Sequence, residues 1–259
     1  MKIAVIDVDS LCFTIGHPNK ILDGLGIPIR TEDNKKFLYQ DKTEEELIKA
    51  ADDLMNGILK RGEFTHYVGY IKGYNTVAYK RKYDPEYKND RNKESPKWWS
   101  FVKSYLINSW GIIESNNIEV DDAVNIARLN IKNSYLCCID SDLLGQEGTH
   151  YNWVKNEWIT TTKEQEIYSF WSSIITGTHN NSKGLHKKGP KYVEKLFKES
   201  FNYKDSVLNA FIEHYDYDYK LAISEFHKNY YCVKTLKKYK GFELPKLIEV
   251  KSDKYNLVE

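Results

Sequence analysis

The spacing of apolar residues changes period along the chain, and each change predicts an element. Lys2-Ile-Ala-Val-Ile6 is a continuous apolar run ending on Asp7. So short a run bounded by a charge predicts a strand buried on both faces. Residues 17–42 carry Pro18, Gly24, Gly26 and Pro28 with no sustained period, which predicts a long surface excursion without chemistry. Thr43-Glu-Glu-Glu46 is a capping box, and Leu47, Ile48, Ala51, Leu54, Met55, Ile58 and Leu59 follow it at helical spacing. A packed helix is therefore expected over 43–61. A second strand is expected over 65–71, helical spacing over 97–109 and a short strand at Ile112-Ile113. This alternation of strand and helix predicts an α/β sheet.

The next stretch, 118–144, organises the rest. Val120, Ala123, Val124, Ala127 and Ile131 recur at helical spacing, so Glu119, Asp121 and Asp122 occupy a helix start, where free amides favour negative charge. Leu136-Cys-Cys-Ile139 reads as a buried strand that delivers Asp140 and Asp142 to its carboxyl end. Asp7 reaches the same sheet edge, where sites in parallel sheets sit. Asp9 is expected to cap the following helix. Carboxylates so arranged repel one another unless they share magnesium or manganese, hard cations that prefer oxygen. Taken singly, the two acidic motifs also read as a capped helix start and a polar turn.

Between 72 and 97 the chain is basic, with Lys72, Lys80, Arg81, Lys82, Lys88, Arg91, Lys93 and Lys97 interleaved with Tyr74, Tyr79, Tyr83 and Tyr87 and followed by Trp98-Trp99. That mixture suits a phosphodiester strand whose bases stack on aromatic rings. A solvated charged loop has the same composition. Residues 151–159 predict a small hairpin around Lys155-Asn-Glu157, and after Thr162 the chain reads as helical throughout. Gly184 and Gly189 bracket a tight turn before Pro190, which suits a first helical position. With Lys183, Lys187, Lys188 and Lys191 around it, that helix start predicts a phosphate-binding site for duplex backbone. The predicted organisation is an α/β core over 1–161, with a basic region at about 72–105, and a helical duplex-binding region over 162–259.

Composition excludes some classes. Hydrophobic residues make up 41% of the 259 and the mean hydropathy is −0.62, with no apolar run near the ~18 residues of a membrane span. A soluble, monomeric, cytoplasmic protein is expected, in the host cytoplasm if the chain is phage-encoded. The four cysteines lack metal-ligand spacing, which fits a reducing compartment. Net charge is +1, so any nucleic-acid surface must arise from local segregation of charge.

These motifs, in this order, resemble the 5′ nuclease superfamily of flap endonucleases, polymerase-associated 5′–3′ exonucleases and phage exonucleases with ribonuclease H activity. Tyr83-Asp-Pro-Glu-Tyr-Lys88-Asn-Asp-Arg91 is similar to the family's YPEYKxxR segment, Glu119-Val-Asp-Asp122 to its E-A-D-D, and Asp140-Ser-Asp142-Leu to its D-x-D-L. The resemblance implies a PIN-like core with a mostly parallel sheet and a C-terminal helix-three-turn-helix at 184–191. It implies Lys88 and Arg91 at the scissile phosphate, and Asp7, Glu119, Asp121, Asp122, Asp140 and Asp142 as ligands of Mg2+ or Mn2+. Lys80, Arg81, Lys183, Gly184, Lys187, Lys188, Gly189 and Lys191 would contact nucleic acid, with K+ at the helix-three-turn-helix. The implied partner is DNA with 5′ ends or flaps, or an RNA–DNA hybrid. Acids the family places after its second strand and in the segment 176–181 are absent, where this chain has Gly69-Tyr-Ile71 and Thr176-Gly-Thr-His-Asn-Asn181. One firm metal site and a weak second are therefore expected. Two rivals are a catalytically weakened relative that binds forked nucleic acid, and a haloacid dehalogenase-type phosphatase using Asp7-Val-Asp9.

Overall fold

The computed structural model describes residues 1–89, 94–178 and 182–250. In chain order its elements are β1 (Ile3–Asp7), α1 (Asp9–Gly16), β2 (Asn19–Lys20), β3 (Tyr39–Gln40), α2 (Glu44–Arg61), β4 (His66–Lys72), α3 (Ala78–Arg81), α4 (Trp99–Trp110) and β5 (Ile113–Ser115). They continue with α5 (Val120–Asn130), β6 (Ser134–Cys137), α6 (Ser141–Leu144), β7 (Gly148–Asn152), β8 (Glu157–Thr161), α7 (Lys163–Thr176), α8 (Pro190–Lys198), α9 (Tyr203–His214), α10 (Tyr219–Val233) and β9 (Ile248–Glu249). The main sheet is seven-stranded, ordered β5-β4-β1-β6-β7-β8, with β9 added to β4. Strands β1, β4, β5, β6 and β7 are parallel; β8 and β9 run antiparallel to their neighbours. The expected mostly parallel α/β sheet is thus the fold found.

Burial explains the layering. Every residue of β1 is buried, and alternate side chains feed opposite faces. Ala4 and Ile6 pack with Leu11, Leu47, Met55, Ile58 and Leu106 of α1, α2 and α4. Val5 packs with Val68, Ala123, Val124 and Leu136 on the α5 side. Each such large aliphatic side chain contributes about 1.5–3 kcal/mol on burial. The register pairs Asp7 with Tyr70, Ile6 with Cys137 and Tyr70 with Ile113, so the carboxyl ends of four strands form one edge. Thr43 and Glu46 form the expected capping box on α2, and β7 and β8 form the expected hairpin. Residues 17–42 are a small two-stranded excursion with Leu22, Leu25 and Ile27 exposed.

Helices α7 to α10 share their own core of Ile174, Leu185, Val193, Phe197, Phe211 and Phe226. The expectation of helix from Thr162 onward holds only as far as Val233. Residues 234–250 then return to the α/β core, where Leu236 is buried among Val5, Val68 and Val124 and β9 pairs with His66 and Tyr67. No helix among the described residues is long and apolar enough to cross a membrane.

Candidate active site

The carboxyl edge of the sheet gathers the acids. Asp7 ends β1 and is 5% exposed. Asp140 lies beyond β6 and accepts a hydrogen bond from the Asp142 amide at 2.7 Å; both side chains are exposed. Asp121, in the first turn of α5, is half-buried. Burial, then Asp9 and Asp140, push the Asp7 carboxyl from 3.8 up to about 7. Burial, then Glu119, Asp7 and Asp140, push Asp121 well above its ordinary value. Burial and Asp140 raise Asp142 as well. Asp7, Asp121 and Asp140 therefore share one electrostatic field. Asp9 differs from its expected role, since its Oδ1 accepts from the Lys72 amide at 2.8 Å and ties α1 to the end of β4.

Glu119 has different partners. Its Oε2 meets Lys80 Nζ at 2.8 Å and accepts from the Tyr87 hydroxyl at 3.0 Å, and its Oε1 is ion-paired with Lys88. Burial alone would raise the carboxyl, but Lys80 and Lys88 overcome it and hold it at about 2. Lys80, expected to face nucleic acid, is buried on Glu119 and 4% exposed. Glu119, expected to ligate metal, has one oxygen paired with Lys80 and the other with Lys88. Lys88 remains beside the acidic edge at the rim. Arg91, its expected companion, lies outside the described residues. Arg81 is bonded to the Tyr87 carbonyl at 3.1 Å and to Asn89 Oδ1 at 2.7 Å, so its guanidinium is engaged within its own segment.

Asp122 also turns away from the sheet edge. It is fully buried, and its Oδ1 accepts from the Leu236 amide at 2.8 Å while Oδ2 has no partner. Neighbouring Asn125 donates to the Leu236 carbonyl at 3.0 Å, so α5 holds both backbone polar groups of one residue of the returning segment. Consecutive helical residues lie ~100° apart, which sends Asp121 and Asp122 to different surroundings. The tyrosines of the basic region are likewise spent internally. Tyr83 stacks on Tyr231 at 3.6 Å, and Tyr79 meets Tyr83 and Tyr239 edge-on. Tyr74, 77% exposed, still faces solvent.

The second candidate site is the start of α8. Gly189 is its N-cap and has no capping side chain; Pro190 has no amide hydrogen and the Tyr192 amide donates to the Gly189 carbonyl at 2.9 Å, while Lys183, Lys187 and Lys191 are exposed around this helix start. Lys188 is half-buried, its ammonium 4.3 Å from the Tyr192 ring centre. Gly184 has φ +62°, and a Cβ there would stand 2.2 Å from the Gly177 nitrogen, so only glycine fits. Asn229 of α10 accepts from the Gly184 amide at 2.9 Å and from Ser182. Sequence reading missed both Asn229, which lies 45 residues away, and the Tyr87 contact with Glu119; neither has a local signature.

Oxygen donors are the set a hard divalent cation takes, and the mutual elevation at the sheet edge fits an ion that would relieve it. Among the described residues, however, no three acidic, histidine or cysteine side chains already stand at ligating spacing. Stability should register the same repulsion. Asp7, Asp121 and Asp122, the last raised to about 6 chiefly by burial, bind protons more tightly in the folded chain than at the ordinary value of 3.8. Between those values the folded state holds more protons, so stability falls as pH rises from about 4 through about 7. Glu119 has the opposite sign, but its window lies below 4.5. Metal-free protein should therefore melt higher at pH 5 than at pH 8 in calorimetry, and Mn2+ should recover the difference at pH 8. A flat profile would mean that the acids do not repel.

No family model matches the sequence, and no curated protein matches it. Solved structures do match. The flap endonuclease of bacteriophage T5, solved with DNA and metal ions, aligns over 90% of this chain and 91% of that one, at 13% identity and a TM-score of 0.57. The T5 5′-exonuclease with zinc bound covers 87% and 88%, at 12% and 0.59. The catalytic core of Rad2 in complex with a DNA substrate covers 94% and 83%, at 14% and 0.53. The chain has the fold of the 5′ nucleases. Where a further acid was expected, Gly69-Tyr-Ile71 lies inside β4, and the Tyr70 ring stands 5.9 Å from Phe242 in the α5-side core. Of the other stretch where further acids were expected, residues 176–178 are Thr-Gly-Thr and residues 179–181 lie outside the described residues.

Proposed function

We propose that the chain is a divalent-metal-dependent phosphodiesterase that cuts DNA at or near a 5′ end, as a flap endonuclease or 5′–3′ exonuclease, with RNA–DNA hybrid as a further substrate. The observation that carries this reading is the shared field of Asp7, Asp121 and Asp140, set beside Lys88 at the carboxyl edge of a 5′ nuclease fold. Asp7, Asp121 and Asp140 would hold Mg2+ or Mn2+ firmly, and Asp142 would contribute to a weaker second site. When bound, the ion lowers the pKa of an attacking water and polarises the phosphate. Lys88 would balance charge developing on the phosphate oxygens, and Arg91 would do so bidentately. Lys183, Lys187, Lys188 and Lys191, with the positive end of α8, would hold duplex backbone without reading sequence, with K+ at the same turn. The protein would act as a monomer.

A second reading has its own support. Glu119 is held by lysines and Asp122 by Leu236, which leaves fewer acids for metal and favours a forked-DNA-binding protein with weakened catalysis. The phosphatase reading has less support, since Asp9 Oδ1 ties α1 to the Lys72 amide. A labelled 5′-flap duplex incubated with Mn2+, Mg2+ or chelator tests the proposal. Release of the flap strand with metal and none with chelator is expected. Tight binding of the fork with no release would move the conclusion to the second reading.

A further inference from the structure

Glu119 carries two ammonium groups of unequal standing. Lys80 belongs to α3, its side chain is 5% exposed, and it lies 3.5 Å from the Tyr87 hydroxyl that also donates to Glu119. Lys88 takes the other carboxylate oxygen from the rim, its side chain 12% exposed, on a residue with φ +59°, a left-handed conformation that L-residues adopt at a cost. The Tyr87 ring centre lies 5.4 Å from the Lys80 ammonium and 5.1 Å from that of Lys88. One carboxylate needs one cation. The second is surplus to Glu119 as long as the first stays, and stripping a buried carboxylate of all compensation is costly.

We propose that Lys80 is a positioning residue that keeps Glu119 compensated while Lys88 moves from Glu119 to the substrate phosphate, so that Glu119 docks Lys88 rather than binding metal. This rests on the nuclease reading for the destination of Lys88. Without Lys80, departure of Lys88 would leave the buried carboxylate with no cation and only the Tyr87 hydroxyl as partner, and Lys88 would stay where it is. The defect therefore depends on the charge of Glu119 and should vanish when that charge is removed.

The test is a cycle of Lys80→Met, Glu119→Gln and the double variant, assayed on a 5′-flap duplex under single-turnover conditions with Mn2+. Lys80→Met should slow cleavage about 30-fold while leaving DNA affinity within about twofold, and adding Glu119→Gln should recover at least about tenfold. The double variant should equal Glu119→Gln alone, a comparison that decides the matter even if Lys80→Met melts below the assay temperature. Further slowing on adding Glu119→Gln, as loss of a metal ligand would give, overturns the proposal. A readout independent of cleavage is acetylation of the Lys88 ε-amine in DNA-free protein, followed by peptide mass spectrometry. Labelling should be slower in Lys80→Met than in the natural chain and faster in the double variant. Equal labelling in all three overturns the docking role, whereas a natural chain that labels as expected but cuts nothing would overturn the nuclease reading alone.

Discussion

Asp7→Asn is expected to abolish cleavage and, at the same time, to make the metal-free protein more stable at pH 8. The two effects share one cause. Asp7 is 5% exposed at the end of β1, and burial, Asp9 and Asp140 raise its carboxyl to about 7. At pH 8 the folded chain holds that charge against its surroundings. Converted at ~1.4 kcal/mol per pH unit, the shift from 3.8 sets a ceiling of about 4 kcal/mol on what asparagine returns. The gain should shrink toward pH 5, where aspartate itself is protonated. Loss of a carboxylate that holds a divalent ion should slow single-turnover cleavage roughly a thousandfold. Melting curves at pH 5 and pH 8 beside a flap assay check both halves. A variant that is less stable at pH 8, or that still cuts, would show that Asp7 is an ordinary buried aspartate with a local partner.

The sequence exposed the layout of the fold because its signals are local. A capping box at Thr43, an apolar run closing on Asp7 and helical spacing from Val120 each require only neighbours in the chain, and each element formed where expected. Asp7 and Asp140 were assignable to one edge because a strand's last residue must lie at the sheet's rim. The partners of charged side chains were not readable in that way. Lys80 and Arg81 look alike in a basic run, yet one is buried on Glu119 and the other is bonded to Asn89. That difference depends on the helical phase of α3 and on where Glu119 lies, 39 positions later in the sequence. The tyrosines among those lysines looked available to bases for the same reason. Tyr231, on which Tyr83 stacks, lies in a region the sequence marked only as helical, and its docking against the basic region was not encoded in any local pattern.

The adjacent pair Asp121-Asp122 is where sequence and structure diverge most, and it carries the sharpest mutational contrast. Asp121→Asn should lose cleavage by roughly a thousandfold, because its carboxylate faces Asp7 and Asp140. Asp122→Asn should cut within about tenfold of the natural chain, since its carboxylate serves the fold and a remaining amide oxygen can still accept from Leu236. It should be as stable as the natural chain or more so at pH 8, because Oδ2 has no partner and the carboxyl is raised to about 6, chiefly by burial. Asp122→Ala removes the same charge but also leaves the buried Leu236 amide without its acceptor. It should therefore fall about 1–3 kcal/mol below Asp122→Asn in chemical denaturation. The loss should appear first as faster amide exchange in residues 234–250, which α5 clamps through Asp122 and Asn125. If Asp122→Asn instead loses cleavage as completely as Asp121→Asn while folding normally, Asp122 swings to the metal during the reaction, and its bond to Leu236 belongs to the resting state alone.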